Sequence, residues 1–253
     1  MFSKELYQTH LKTKFLGREI KYLSQANSTN EDAWSSFRDG SPEGTLVITD
    51  DQQRGKGRRQ NKWVSTKGKS LTFSFILQPE LPLEKLGLLP LLTGVSIVKA
   101  IQSETSIQTG LKWPNDIMLN EKKMGGILIE SKPSQNRLGV VVGVGLNINE
   151  SITDFPESLS KQSSSLSMHT GEKYSRERIL SAILNEFENL YQSQLDYIIP
   201  LWQEYCIHRG TSVIFHSENH RRRGIFQGIN SLGHAEIKMN GKTKSFSTGM
   251  VAL

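Results

Sequence analysis

The chain runs to 253 residues, enough for one large domain or a large domain with a small one, and its 36% apolar and 22% charged content excludes wholesale disorder. Thirty-one basic against 25 acidic residues leave a formal charge of +6, which suits nucleic acid, nucleotide or an acidic protein alike. A single cysteine, Cys206, excludes an internal disulfide or a cysteine-rich zinc site; the polar start Met1–His10 excludes a secretory signal, and no apolar run of membrane-spanning length is read, so a soluble cytoplasmic protein is expected.

Thr45–Thr49 reads as a short buried strand. Leu71, Phe73, Phe75 and Leu77 alternate with Thr72, Ser74 and Ile76, the period of a strand with one face on a core. From Pro82 to about Glu104 the spacing of Leu91, Val95, Val98 and Ile101 predicts a helix, with Gly94 its weak point. Ile117–Leu119 and Ile127–Ile129 read as strands joined by a polar loop at Asn120–Lys123, and Leu138–Asn149 as a glycine-broken strand. Ser158–Gly171 reads as a loop with a helix start. Helices are predicted from about Ser175 to Gln194, on the face of Ile179, Ile183, Phe187 and Tyr191, and from Asp196 to Ile207.

From Gly210 the texture changes to short strands, Ser212–Phe215, Gly224–Gly228, Ala235–Met239 and Lys244–Phe246, with turn signals at Asn230–Gly233 and Asn240–Gly241. They predict a small β-barrel of about 45 residues that leans on the main domain, because so small a core is marginal alone. The fold class expected is α/β, in the α+β sense, with residues 1–207 as the main domain and 208–253 as the β domain.

Four stretches offer chemistry. Gln53–Trp63 carries glycines at 55 and 57 that let backbone approach a ligand, cations that suit phosphate or carboxylate, and a flat tryptophan; the plain alternative is a solvated basic loop. Leu111–Asp116 sets a cation, a proline turn and two oxygen-bearing side chains side by side, of which Asp116 suits Mg²⁺ or a lysine partner and Asn115 a phosphate or ribose; a bare turn is the alternative. Lys122–Gly126 offers a lysine to neutralise charge on a phosphoryl or acyl oxygen, or simply solvated lysines at a hairpin. Gly143–Asn147 ends a buried strand in an asparagine that reaches a ligand or satisfies backbone. Gly68-Lys-Ser70 is no P-loop, since Trp63 stands where its first glycine belongs, and Gly143-Val-Gly145 lacks the third glycine of a dinucleotide fingerprint. Cys206 reads as inert packing in an apolar helix, and the histidines have no metal-ligand spacing.

The order of these pieces carries more than any one of them. Ser28-Thr-Asn30, then Gln53-x-Gly-Lys-Gly-Arg-Arg-x-x-Lys-Trp63, then Lys112-Trp-Pro-Asn-Asp116, Lys123-x-x-Gly126 and Gly143-Val-Gly-Leu-Asn147 resemble biotin–protein ligase over residues 20–150. The tail, with its Phe-x-Gly-Ile-Asn-x-x-Gly rhythm at 226–233, is similar to that family's SH3-like domain, and the resemblance implies a class II synthetase-like catalytic domain before it.

The resemblance implies that biotin's carboxylate attacks ATP to give biotinyl-5′-AMP, with Mg²⁺, and that a lysine of a biotin carboxyl carrier protein then takes the biotinyl group. It assigns Ser28, Thr29, Asn30 and Gln53 to the ureido pocket with Gly126 close by. Gly55, Lys56, Gly57 and Arg58 would form a closing loop over biotin and the adenylate. Trp63 would pack near adenine; Asn115, Asp116 and Asn147 would serve ATP and its metal; Lys123 would act on the biotin carboxylate and reacting phosphate, assisted by Lys112.

The loop departs from the family's Gly-Arg-Gly-Arg-Arg-Gly-Arg pattern at Lys56 and at Gln60-Asn61, so Arg58, which is retained, gains weight. About twenty residues before the first strand are too few for a helix-turn-helix, so no DNA partner is expected, no membrane either, and a monomer or homodimer. Arg221–Arg223 reads as a solvated turn or a face for the acceptor. The competing readings are a lipoate or octanoyl transferase, a nucleic-acid-binding module using residues 54–62, and a catalytically silent biotin binder.

Overall fold

The structure is a computed structural model that describes residues 1–252 apart from 135–136, 194 and 218–219. Its centre is a seven-stranded mixed sheet. In chain order the strands are β1 (Ile20–Leu23), β2 (Leu46–Thr49), the two-residue β3 (Gly55–Lys56) and β4 (Lys62–Trp63), β5 (Leu71–Leu77), β6 (Gly110–Lys112), β7 (Asp116–Leu119), β8 (Lys122–Ser134) and β9 (Arg137–Leu146). Leaving out β3 and β4, which pair only with each other, the sheet order is β1-β2-β5-β9-β8-β7-β6; β1 and β2 run parallel and every other neighbour antiparallel.

The helices are α1 (Lys4–His10), α2 (Thr29–Arg38), α3 (Leu89–Thr105), α4 (Glu157–Ser160), α5 (Leu166–Thr170), α6 (Arg176–Tyr191) and α7 (Ile198–Tyr205). One face of the sheet is covered by α3, against which α6 and α7 pack, while α1 packs on α6; α2 lies across β2, β5 and β9 on the other face. β5 is therefore buried on both sides, where its alternation predicts one. Phe73 and Phe75 enter the main core, and Ile76 meets Ala33, Trp34, Val47 and Val141 beneath α2. The helix expected from Pro82 starts as a 3₁₀ turn, Leu83–Leu88, before α3. Gly94 is no weakness there, for a Cβ on it would come within 3.0 Å of Leu111, so its bareness lets α3 lie close on the sheet. Leu83–Thr105 is, against the sequence reading, long and apolar enough to cross a membrane by length and composition, but 67% of its window is buried inside the protein.

The turn between β7 and β8 is only Asn120–Glu121, both at positive φ (48° and 61°), the geometry of a tight hairpin that matches strand twist. Lys122 and Lys123 are thus on β8 and not in a loop. Ser175 caps α6 by accepting from the Arg178 N–H, which fixes the start of that helix one residue later than its apolar pattern suggests.

Five strands follow: β10 (Ser212–Ser217), β11 (His220–Ile229), β12 (Ala235–Met239), β13 (Lys242–Phe246) and β14 (Met250–Ala252), all antiparallel in the order β13-β12-β11-β10-β14. Among the described residues no ladder joins β13 to β14, so the pairing is that of an open sheet instead of the barrel expected. Arg221–Arg223 lies on β11, opposite His216–Ile214, and not in a turn. The sheet does lean on the main domain. Buried Trp113 donates its indole N–H to the Gly233 carbonyl at 3.1 Å and packs on Phe215, while Trp202 of α7 meets His208 and Phe226. Phe215, Phe226 and Ile237 belong to the same continuous core as β5 and α3. Cys206 sits just past α7, its backbone bridging to Leu111, and burial pushes its thiol up to about 11, consistent with inert packing.

Candidate active site

A cleft opens between the N-terminus of α2, the β3–β4 hairpin, the strand ends of β5, β8 and β9, and the edge of the C-terminal sheet. Its floor needs glycine. A Cβ on Gly143 would lie 1.9 Å from Asn30 Oδ1, and one on Gly145 2.4 Å from the Trp63 indole, so neither position admits a side chain. Trp63 lies over Gly145 and within 3.7 Å of the Cβ position of Gly126, closing the floor from above.

The inner wall is polar and braced. The α2 N-terminus presents Ser28, Thr29 and Asn30, all buried. Thr29 N–H donates to Gln52 Oε1 at 2.9 Å; Ser74 Oγ donates to Asn30 Oδ1 at 2.7 Å and shares a hydrogen bond with Thr29 Oγ1, also at 2.7 Å; Asn30 Nδ2 donates to Glu130 Oε2 at 2.8 Å. The glutamine of this wall is Gln52, not Gln53. Gln53 is exposed and bonds Asp51 at 2.6 Å, while a backbone bridge between Ala26 and Gln52 turns residue 52 inward.

The opposite end is cationic. Lys56, Arg58, Arg59, Lys62, Lys112 and Lys123 line the cleft, with Asp116 the one carboxylate among the described lining residues. Lys123 Nζ lies 2.6 Å from Asp116 Oδ1 and Lys112 Nζ 3.8 Å from Oδ2. The basic stretch is a hairpin whose cations at Lys56, Arg59 and Lys62 are exposed: Gly55 pairs with Trp63 and Lys56 with Lys62 around a tip where Arg59 and Gln60 take φ of 53° and 63°. Gln60 thus stands, in a left-handed conformation that favours glycine, where the family's pattern has glycine. Lys56 is tied outward to Glu31 at 2.5 Å, a bond that raises its pKa.

Arg58 reaches across the cleft mouth, donating to Asn115 Oδ1 and to Thr248 Oγ1, both at 3.4 Å. Burial, and after it the charge of Arg59, lowers its pKa from the ordinary value, while the Asp116 carboxylate acts the other way. Asn115 is held by donating to the Ile127 carbonyl at 2.7 Å.

Asn147, like Gln53, lies outside the cleft. It is buried and donates to the Ser164 carbonyl at 3.0 Å, while its N–H bonds the Met124 carbonyl, so it pins the segment before α5 to the start of β8. The other predicted residues meet in one place: Ser28, Thr29, Asn30, Lys56, Gly57, Arg58, Trp63, Lys112, Asn115, Asp116, Lys123 and Gly126 all line it, with Gly55 buried just behind. Gln52 and the C-terminal residues Thr248, Met250 and Val251 were not read from sequence. For the glutamine, inward placement beside Ala26 is visible only in three dimensions; the C-terminal residues belong to no motif.

A model of the Biotin/lipoate A/B protein ligase family matches residues 22–147. The Bifunctional ligase/repressor BirA of Bacillus spizizenii is 37% identical over 228 residues, covering 88% of this chain and 70% of that protein. The chain belongs to the biotin/lipoate A/B protein ligase family. Among the ligases of this family it is also similar to the Bifunctional ligase/repressor BirA of Bacillus subtilis, at 35% identity over 96% of this chain and 76% of that one. The biotin protein ligase of Aquifex aeolicus, solved in complex with biotin and ATP, superposes with a TM-score of 0.80 at 27% identity, covering 93% of this chain and 98% of that one. The family match spans the α2 N-terminus, the hairpin and the Lys112–Asp116 and Lys123–Gly126 segments, and so takes in the described cleft-lining residues other than Met250 and Val251.

Proposed function

We infer that the chain is an ATP-dependent biotin–protein ligase that makes biotinyl-5′-AMP and passes the biotinyl group to a lysine of a biotin carboxyl carrier protein. The observation that carries this is the division of one cleft into a braced polar wall at Thr29, Asn30 and Gln52 and a cationic mouth where Lys112, Lys123 and Arg58 gather about a single carboxylate, Asp116. The first half suits a small, uncharged, hydrogen-bonding ring. The second suits two anions that must meet.

In the first step a biotin carboxylate oxygen attacks the α-phosphorus of ATP, the bond to the β-phosphate bridging oxygen breaks and pyrophosphate leaves. Two unit negative charges 4 Å apart repel by about 4 kcal/mol at an effective dielectric near 20. Lys123, Lys112 and Arg58 offset that repulsion where it arises, and Asp116 keeps the two lysine heads beside each other. In the second step a neutral acceptor amine attacks the acyl carbon, AMP leaves, and the amine loses a proton as the amide forms. Trp63 and the hairpin shield the anhydride from water meanwhile.

Mg²⁺ enters as the metal of the nucleotide substrate. Among the described residues no group of three His, Cys, Asp or Glu side chains is placed to cage a metal, and Asp116 is the one carboxylate of the cleft. It suits a metal held chiefly by phosphates.

The test is incubation with biotin, ATP and Mg²⁺ and no acceptor, followed by mass spectrometry. Biotinyl-5′-AMP is expected; biotin bound but not adenylated would reduce the chain to a silent binder and overturn the ligase reading.

A further inference from the structure

Among the described residues, Thr72 carries the one side-chain atom of the polar wall that is fully buried and has no hydrogen-bond partner. It is 4% exposed, lines the cleft, and its Oγ1 is buried without a hydrogen bond. Its direction follows from the strand. Ser74, two residues on along β5 and so on the same face, hydrogen-bonds Thr29 and Asn30 in the wall, whereas Leu71 and Phe73 face the core. Thr72 therefore points to the cleft, one register step from Ser74 toward the cationic mouth, opposite Gly145 of β9. Trp63, which lies over that same glycine, has its indole N–H buried without a partner as well. Two unsatisfied polar groups flank one spot on the floor.

A buried hydroxyl without a partner costs about 1–3 kcal/mol, which a ligand atom able to bond it recovers. Biotin offers four kinds of group. Its carboxylate belongs with the cations, its valeryl chain cannot hydrogen-bond, and its ring sulfur is a weak acceptor. The ureido ring, with a carbonyl and two N–H groups, is the strong partner.

We propose that Thr72 is a specificity-determining residue of the cleft, its hydroxyl hydrogen-bonding the ureido ring of biotin. This rests on the biotin reading above. It adds a β5 strand residue to a wall otherwise drawn from the α2 N-terminus and Gln52.

Titration calorimetry with biotin and with desthiobiotin, which keeps the ureido ring and lacks the sulfur, tests this on the wild type, Thr72→Val and Thr72→Ser. Thermal unfolding of the ligand-free proteins runs alongside. Thr72→Val is expected to weaken both ligands about tenfold. Thr72→Ser should stay within about threefold of wild type, because the hydroxyl remains. Ligand-free Thr72→Val should melt no lower than wild type, since an orphan hydroxyl has been replaced by a methyl of the same shape.

Unchanged affinity in Thr72→Val, weakening confined to biotin, or a parallel fall in ligand-free melting temperature would each overturn the proposal. Wild-type protein that binds neither compound would overturn the biotin reading with it. Wild-type binding with an indifferent Thr72→Val overturns the Thr72 assignment alone.

Discussion

Lys123 and Asp116 meet at 2.6 Å from adjacent strands, one at the start of β8 and the other at the start of β7. The lysine side chain is 40% exposed, and an ion pair that open is worth under about 1 kcal/mol to the fold. Its consequence is positional: the ammonium is held over the cleft beside Gly126, where a carboxylate and a phosphate would meet.

Lys123→Ala should therefore slow adenylate formation by about 10²–10³-fold, the usual loss when one preorganised charge-stabilising donor is removed. Biotin affinity should change by less than about fivefold. Single-turnover adenylation and calorimetry read the two separately, and equal losses in both would contradict the role.

Arg58 hydrogen-bonds Asn115, in the turn between β6 and β7, and Thr248, between β13 and β14 of the C-terminal sheet. Arg58→Gly removes both bonds, and biotinyl-5′-AMP should escape and label bystander lysines of an unrelated protein. Labelling confined to the carrier lysine would show that Arg58 does not retain the adenylate.

Gly143→Ala should abolish measurable biotin binding while the protein stays folded. The new methyl would strike Asn30 Oδ1, and Asn30 is fixed by Ser74 and Glu130. Overpacking of this kind costs about 1–3 kcal/mol, enough to displace the wall but not to break a seven-stranded sheet. Circular dichroism and calorimetry distinguish the two; retained affinity would mean that the wall yields.

His208 is fully buried against Trp202 and Phe226, and burial, with the charge of Lys112 after it, lowers its pKa from 6.5 to about 3. Between those values the unfolded chain binds a proton that the folded one refuses, so stability is full above pH 6.5 and falls as pH drops toward 3. The loss at pH 5.5 should be about 1 kcal/mol. Urea melts at pH 7.5 and 5.5 measure it, and His208→Phe, which keeps the ring packing, should flatten the difference. An equal slope in that variant would assign it to other groups.

Much of the site was legible because its segments are contiguous. Lys112–Asp116 spans the tight turn from β6 to β7 and Lys123–Gly126 lies on β8, so reading each segment locates its side chains. Gln53 against Gln52 shows the limit: two identical neighbours, and only the bridge to Ala26 decides which turns inward. Asn147 shows another, since whether an asparagine at a strand end serves a ligand or a carbonyl depends on a segment, Ser164, that is remote in sequence. α2 was not predicted at all; Asn30, Asp32, Ser35 and Ser36 are weak helix formers, and tertiary packing of Ala33, Trp34 and Phe37 under β2 and β5 overrides them. The open C-terminal sheet was read as a barrel because strand spacing gives the number of strands but not closure.

Trp113 stands between Lys112 and Pro114 in the segment that lines the cleft, and its indole is fastened to Gly233 and Phe215 of the C-terminal sheet. The sheet is thus joined to the cleft through one tryptophan and to α7 through another, Trp202 against Phe226. Force applied to its outer strands, whether by a pulling experiment or by a docked protein, is shared between that helix and the backbone that carries Asn115 and Asp116.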